Sequence, residues 1–306
     1  ESAYEKGEDR FRVLAYLTRG LNQSENNGIA EMTWVATALR SKLALCAGDM
    51  EYAQRLTSGM LQSLDPEHQP QLYEGVTAFS CWLSLYSNEI GRIRRWLETA
   101  PDETVEFCTL NRYFYMVKIY CYAALGKHTD ALMLISRMMV YADYAQRTYI
   151  RLECGLLRAI VMRRTGSDWK EDFLQVLSAI SQYRFVPIIS EKGAAILPLL
   201  TEAKAAFCQR YPAAADWFNQ VLDRTMHMAR LYPNYLKGTG IDVSAFSDTA
   251  LEVLRLQAAG YTTREIAQQL HITQRTVKYH ASENYRKLDA RNLVDAVQIA
   301  QSLHIL

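Results

Sequence analysis

The chain has 306 residues, 49% of them hydrophobic and 22% charged, with 34 Lys and Arg against 33 Asp and Glu for a formal charge of +1. That content supplies two domains with real cores, leaves no tract polar enough to stay disordered, and does not suit a protein that coats DNA non-specifically. No run of about eighteen apolar residues and no signal peptide occurs, which argues against membrane insertion and export and for a cytoplasmic protein. Six cysteines, at 46, 81, 108, 121, 154 and 208, lie far apart with no CxxC and no His at ligand spacing, so reduced buried thiols are expected and no metal. The first residue is Glu1, which suggests that the sequence begins partway through a longer protein.

From Phe11 to about Leu236 the pattern is nearly all helix, with no convincing period-two strand. Four segments, ALCAGDMEYAQRL, LSLYSNEIGRIRRWL, YAALGKHTDALMLI and VMRRTGSDWKEDFLQVL, each place a helix end, a turn residue and a new amphipathic helix in the same order. The turn residues are Gly48, Asn88, Gly126 and Gly166, spaced 40, 38 and 40 apart, and Gly or Asn suits a left-handed helix C-terminus. Five residues beyond them come Ala53, Ile93, Ala131 and Glu171, so the fourth unit reads as degenerate. Period and pairing predict a TPR-like helical solenoid over 1–236, with a plain irregular all-α domain as the alternative.

In a solenoid the first helix of each pair faces the inner groove. Counting six back from the turn residues gives Lys42, Trp82, Tyr120 and Ile160, and counting thirteen back gives Val35, Gly75, Tyr113 and Glu153. Lys42, Trp82, Tyr113, Tyr120 and Glu153 are therefore the candidate effector site, for a small molecule or a peptide. Ordinary aromatic packing in a chain with 19 Tyr reads the same way.

Pro187, Gly193 and Pro198 then break the rhythm in YRFVPIISEKGAAILPLL (183–200), one more helix follows, and PNYLKGTGIDVSA leads into a linker at 237–245. Phe185, Val186, Ile188, Ile189, Glu191 and Gly193 stand where the segment after the repeats of MalT-like regulators has F-V-R-x-F-L-D-E-G, and the tract resembles that segment. The resemblance implies a signal-dependent activator with an ATP-binding switch domain upstream. This chain has no GxxxxGK[ST] and only the Gly126–Lys127 and Lys192–Gly193 pairs, so it should bind neither ATP nor another cofactor.

The last stretch, 246–306, predicts four short helices. Ser247 caps a helix that stops at Gly260; Thr262 with Glu265 forms a capping box ahead of Ile266, Ala267 and Leu270. His271, Ile272 and Thr273 make a turn into a helix with Val277, Ala281, Tyr285 and Leu288 on one side and Gln274, Arg275, Lys278, Tyr279, Ser282 and Arg286 on the other. Asn292 caps the last helix, with Val294, Ala296, Val297, Ala300 and Leu303. Two helices pinned at a tight turn, the second with a basic polar face, fit a helix-turn-helix reader of the major groove. Between 274 and 291 five basic residues face two acidic ones, so the positive charge is local to the reader.

The run FSDTALEVLRLQAAGYTTREIAQQLHITQRTVKYH, then YRKL and AVQIA, closely resembles the LuxR-type DNA-binding domain, departing at Ala250, Asn284 and Leu293. By direction and by that resemblance Lys278, Tyr279 and Ser282 are expected to meet bases. Thr262, Thr263, Arg275, Thr276 and Lys287 are expected to hold phosphates. His280 reads as a structural hydrogen-bonder rather than a base reader. The resemblance also implies a homodimer on double-stranded promoter DNA, paired through the helix at 292–303. A transcription regulator is the leading reading, and a scaffold whose helix-turn-helix meets a protein is the other. No HExxH, nucleophile elbow, phosphate loop or paired carboxylates favour an enzyme.

Overall fold

The computed structural model describes residues 2–26, 28–102, 108, 111–237, 246–288, 290–302 and 306. Every regular element among them is helical. The chain divides into two compact units, one holding 1–123 and 128–237, the other 124–127 and 238–306. No helix among the described residues is long and apolar enough to cross a membrane, and no group of His, Cys, Asp and Glu among them could hold a metal ion.

The larger unit starts with a single turn, α1 (Ser2–Glu5), and the longer α2 (Arg10–Asn26). Helix pairs follow: α3 (Ala30–Cys46) with α4 (Met50–Ser63), α5 (Pro70–Ser84) with α6 (Ile90–Thr99), α7 (Arg112–Ala124) then α8 (His128–Tyr144), and α9 (Thr148–Arg164) with α10 (Lys170–Tyr183). The four turn residues all lie in the left-handed region, Gly48 at φ 82°, Asn88 at 55°, Gly126 at 74° and Gly166 at 73°. Each reverses the chain so that the second helix folds back, and Asp49 caps α4 by accepting from the Tyr52 amide at 3.0 Å. Consecutive helices seal one another through small and branched side chains, as where Ala123, Ala131 and Val161 of α7, α8 and α9 meet.

The fourth pair is regular after all. Its turn is two residues longer, so α10 begins four residues after Gly166, whereas α4, α6 and α8 begin two after Gly48, Asn88 and Gly126. Phe173 thus takes the place of Ala53, Ile93 and Ala131, and all four are fully buried. Glu171 is exposed and pairs with Arg210 at 2.7 Å.

A closing tract completes the unit with α11 (Pro187–Ser190), α12 (Gly193–Arg210) and α13 (Ala215–Leu231). Gly193 opens α12 at φ 37°, where a Cβ would meet the Met228 and Ala229 backbone at 3.3 Å, so α12 and α13 can lie close. Phe207, Trp217 and Phe218 fill that contact, and Trp217 donates to the Phe185 carbonyl at 3.0 Å.

The smaller unit is a four-helix bundle of α14 (Asp248–Ala258), α15 (Thr263–Gln269), α16 (Gln274–Leu288) and α17 (Leu293–Ser302). Apart from residue 237, the expected linker lies outside the described residues, as does Leu303. Two apolar clusters hold the bundle: Val253, Leu256, Ile266, Ala267 and Val277 join α14, α15 and α16, while Phe246, Leu254, Leu288, Ala296, Ile299 and Ala300 bring in α17.

Candidate functional site

Each helix of the smaller unit begins at a side-chain cap, which sets where its faces point. Ser247 accepts from the Ala250 amide at 3.2 Å, Thr273 from Thr276 at 3.1 Å, and Asn292 from Asp295 at 2.9 Å. Thr262 and Glu265 form the reciprocal capping box, with the Thr262 amide donating to the carboxylate at 2.8 Å. Those bonds hold the exposed Glu265 carboxyl below its usual range. Between α15 and α16 the chain turns through His271 at φ 52°, a conformation that suits a short polar side chain or Gly.

With Val277, Ala281 and Leu288 buried, α16 turns Arg275, Lys278, Tyr279 and Ser282 to the surface, and Tyr279 is 63% exposed. Lys278, Arg275 and Ser282 have no ionic or hydrogen-bond partner among the described residues, so nothing needs to be broken before they meet a ligand. Arg286, on the same helix, is held by Glu283 at 2.8 Å. The expected phosphate contacts fall into two groups. Arg275 and Thr263 stand at the first turns of α16 and α15, whereas the hydroxyls of Thr262 and Thr276 are engaged with Glu265 and Thr273 at 2.7 and 2.8 Å. Lys287 reaches across α16 to place its ammonium 5.3 Å from the Phe246 ring centre. Arg264, next to Thr263, is also exposed. His280 is half-buried beside the Tyr279 ring.

Two of the departures from the family pattern meet. Asn284 is fully buried and donates to the Ala250 carbonyl at 2.7 Å, tying α16 to the first turn of α14.

In the larger unit the five residues counted from the turns do converge, around partners the periodicity does not reveal. Lys42 Nζ lies 3.1 Å from Glu191, 5.3 Å from the Trp82 ring centre and 5.7 Å from that of Tyr4. Burial opposes the Lys42 charge, but Glu191, then Glu5 and Glu153, outweigh it and hold its pKa above the ordinary ammonium value. Tyr120 donates to Glu153, which lies 3.4 Å from the buried Lys192, itself 5.5 Å from the Tyr120 ring centre. Tyr113 is 40% exposed as a whole residue, so the burial felt by its hydroxyl is local to that end of the side chain. Burial raises its hydroxyl pKa, with Lys42 opposing and Glu153 adding, so the hydroxyl lies within their field. Tyr4, Glu5, Tyr149, Glu191 and Lys192 complete the cluster, and sequence reasoning missed all five because they lie outside the repeat count. Tyr4 donates to Glu191 across 187 positions.

The comparisons agree with the smaller unit. Residues 244–300 match the family described as bacterial regulatory proteins, luxR family. The smaller unit carries a LuxR-family helix-turn-helix domain. Two curated relatives, both from Bacillus subtilis (strain 168), point the same way. One, an uncharacterized transcriptional regulatory protein YvfU, is 44% identical over 50 residues, covering 16% of this chain and 25% of the relative. The other, the transcriptional regulatory protein DesR, is 27% identical over 121 residues, 36% of this chain and 61% of the relative. The chain thus spans a quarter of the first and about three fifths of the second. No solved structure matches.

Proposed function

We propose that the chain is a DNA-binding transcription regulator, in which residues 246–306 read promoter DNA and the helical repeats of 1–236 sense an effector. The observation that carries this reading is α16, whose outer face offers Lys278, Tyr279 and Ser282 on a helix fixed by Val277, Ala281 and Leu288. A ridge of that size with unpaired donors fits the major groove, where Lys278 donates to guanine O6 and N7 and Tyr279 presses on a thymine methyl. Arg275, Thr263 and the amides at the start of α15 take phosphates, with Thr262, Thr276 and Lys287 around them. DesR and YvfU are both named as transcriptional regulatory proteins, which supports the same class.

One such domain contacts half a site, so the reading includes a homodimer on an inverted repeat. Val294 on α17 is 68% exposed and supports the expectation that this helix pairs two copies. For the repeats, the left-handed turn every 38 to 40 residues supports a TPR-like, MalT-like sensor. Its inner face gathers Lys42, Trp82, Tyr113, Tyr120 and Glu153.

The test is selection from a randomised duplex pool. The full chain should enrich an inverted repeat with half-sites about one helical turn apart, and Lys278→Ala should relax the preference at one base position of each half-site. No enrichment, or the same enriched sequence from Lys278→Ala, contradicts the reading.

A further inference from the structure

The inner-face cluster is filled by residues of the chain itself. Tyr4 and Glu5 come from α1, a helix of 4 residues joined to α2 through Gly7 at φ 65°. The Tyr4 hydroxyl donates to Glu191, and Tyr149 donates to the Glu5 carboxyl at 3.2 Å. The closing tract also holds the main chain here, the Val186 amide donating to the Glu5 carbonyl at 2.9 Å and Arg224 to the Gly7 carbonyl at 2.8 Å. The other polar members of the cluster stand on long helices or the closing tract: Lys42 on α3, Trp82 on α5, Tyr120 on α7, Tyr149 and Glu153 on α9, and Glu191 with Lys192 just before α12.

The fit is incomplete. One Glu5 oxygen, Oε2, is buried with no hydrogen-bond partner, which is costly for a carboxylate. Three carboxyls, of Glu5, Glu153 and Glu191, share the site with two ammonium groups, of Lys42 and Lys192. Burial first, and Glu191 with Glu153 after it, push the Glu5 pKa up to about 7, against the pull of Lys42 and the Tyr149 hydroxyl. Tyr4 also packs with Val13, Leu17, Ala36, Leu39 and Leu43, so its ring is matched to the site while the Glu5 carboxyl is only half satisfied.

We propose that the inner face recognises a ligand presenting a hydroxyl-bearing ring beside a carboxylic acid, and that Tyr4 and Glu5 stand in for this ligand until it displaces them. The proposal rests on the reading of the repeats as a sensor and names the chemistry that the sensor takes. Glu191 accepts the ring hydroxyl, Tyr149 donates to the acid, and Lys42 lies between Trp82 and the ring.

The pH sense follows from Glu5. Its docked pKa of about 7 exceeds the ordinary 4.5, so docking is strongest at acid pH and weakens as pH rises from 4.5 to about 7.

The test uses the full chain carrying Tyr4→Ala and Glu5→Ala, with a labelled synthetic peptide of residues 2–9, SAYEKGED, as the probe. Anisotropy should show saturable binding to the double variant, and binding at least about tenfold weaker to the unmodified chain, whose own α1 competes. Binding at pH 8 should be at least about tenfold weaker than at pH 5, and a peptide with Gln in place of its first Glu should lose that dependence. Three results would each overturn the proposal: no binding to the folded double variant, equal binding to both chains, or a double variant that no longer folds, which would make Tyr4 and Glu5 ordinary core. Whether bound peptide alters DNA affinity is read separately, so a failed sensor reading and a failed ligand assignment are told apart.

Discussion

The two candidate sites are made of the same residue types in opposite states. In the larger unit, Lys42 and Lys192 lie against carboxylates at 3.1 and 3.4 Å and near aromatic rings, Lys192 fully buried and Lys42 partly so. On α16, Lys278 and Arg275 stand exposed beside Tyr279 with no partner among the described residues. The first arrangement pairs both of its ammonium groups within the chain and leaves one Glu5 oxygen without a partner. The second carries its charge outward, so its affinity should come from replacing counterions rather than from rearranging protein. Lysines and aromatics at helical spacing therefore do not by themselves reveal whether a site is open.

This difference can be broken from either side. The largest effect should come from the helical frame of the larger unit: Phe173→Ala is expected to destabilise it by about 3–5 kcal/mol in urea unfolding, because it empties a fully buried site. Glu171→Ala, at the position the raw count would choose, should stay within about 0.5 kcal/mol. Equal effects would refute the shifted register. Next comes Glu191→Ala, which takes the carboxylate from the buried Tyr4 hydroxyl and the partly exposed Lys42 and should cost about 3 kcal/mol. Replacing Lys42 as well, with Met, should recover part of that loss; additive losses would mean the pair is not coupled. Smallest is Thr262→Ala, which removes one half of an exposed capping box and should cost about 1 kcal/mol in the smaller unit alone, read from its thermal transition.

What the sequence shows and hides follows the same division. Local chemistry is legible: Gly48, Asn88, Gly126 and Gly166 do take left-handed turns, and Ser247, Thr262, Thr273 and Asn292 do cap their helices, since each signal lies within a few residues of its effect. The register of α10 was hidden because a fixed count cannot see a turn that runs through Ser167–Trp169, two residues longer than the others. Contacts between distant positions were hidden more deeply. Nothing near Tyr4 or Glu5 announces that Glu191, Tyr149 and Lys42 will surround them, and nothing near Asn284 announces the Ala250 carbonyl 34 positions away. On α16 the exposed face was readable because its opposite side is a plain apolar stripe. In the larger unit, periodicity placed Lys42, Trp82, Tyr120 and Glu153 together without showing that Tyr4, Glu5 and Glu191 of the same chain lie among them.

The claim on which the account depends is that α16 meets DNA through charges already free at its surface. Affinity of the full chain for a random-sequence duplex, followed by anisotropy over stepped salt, tests it directly. The account predicts that the logarithm of affinity falls linearly with the logarithm of salt concentration, and that Arg275→Ala lowers the slope by about 1 per bound copy. A salt-independent affinity, or a slope that Arg275→Ala leaves unchanged, would contradict it.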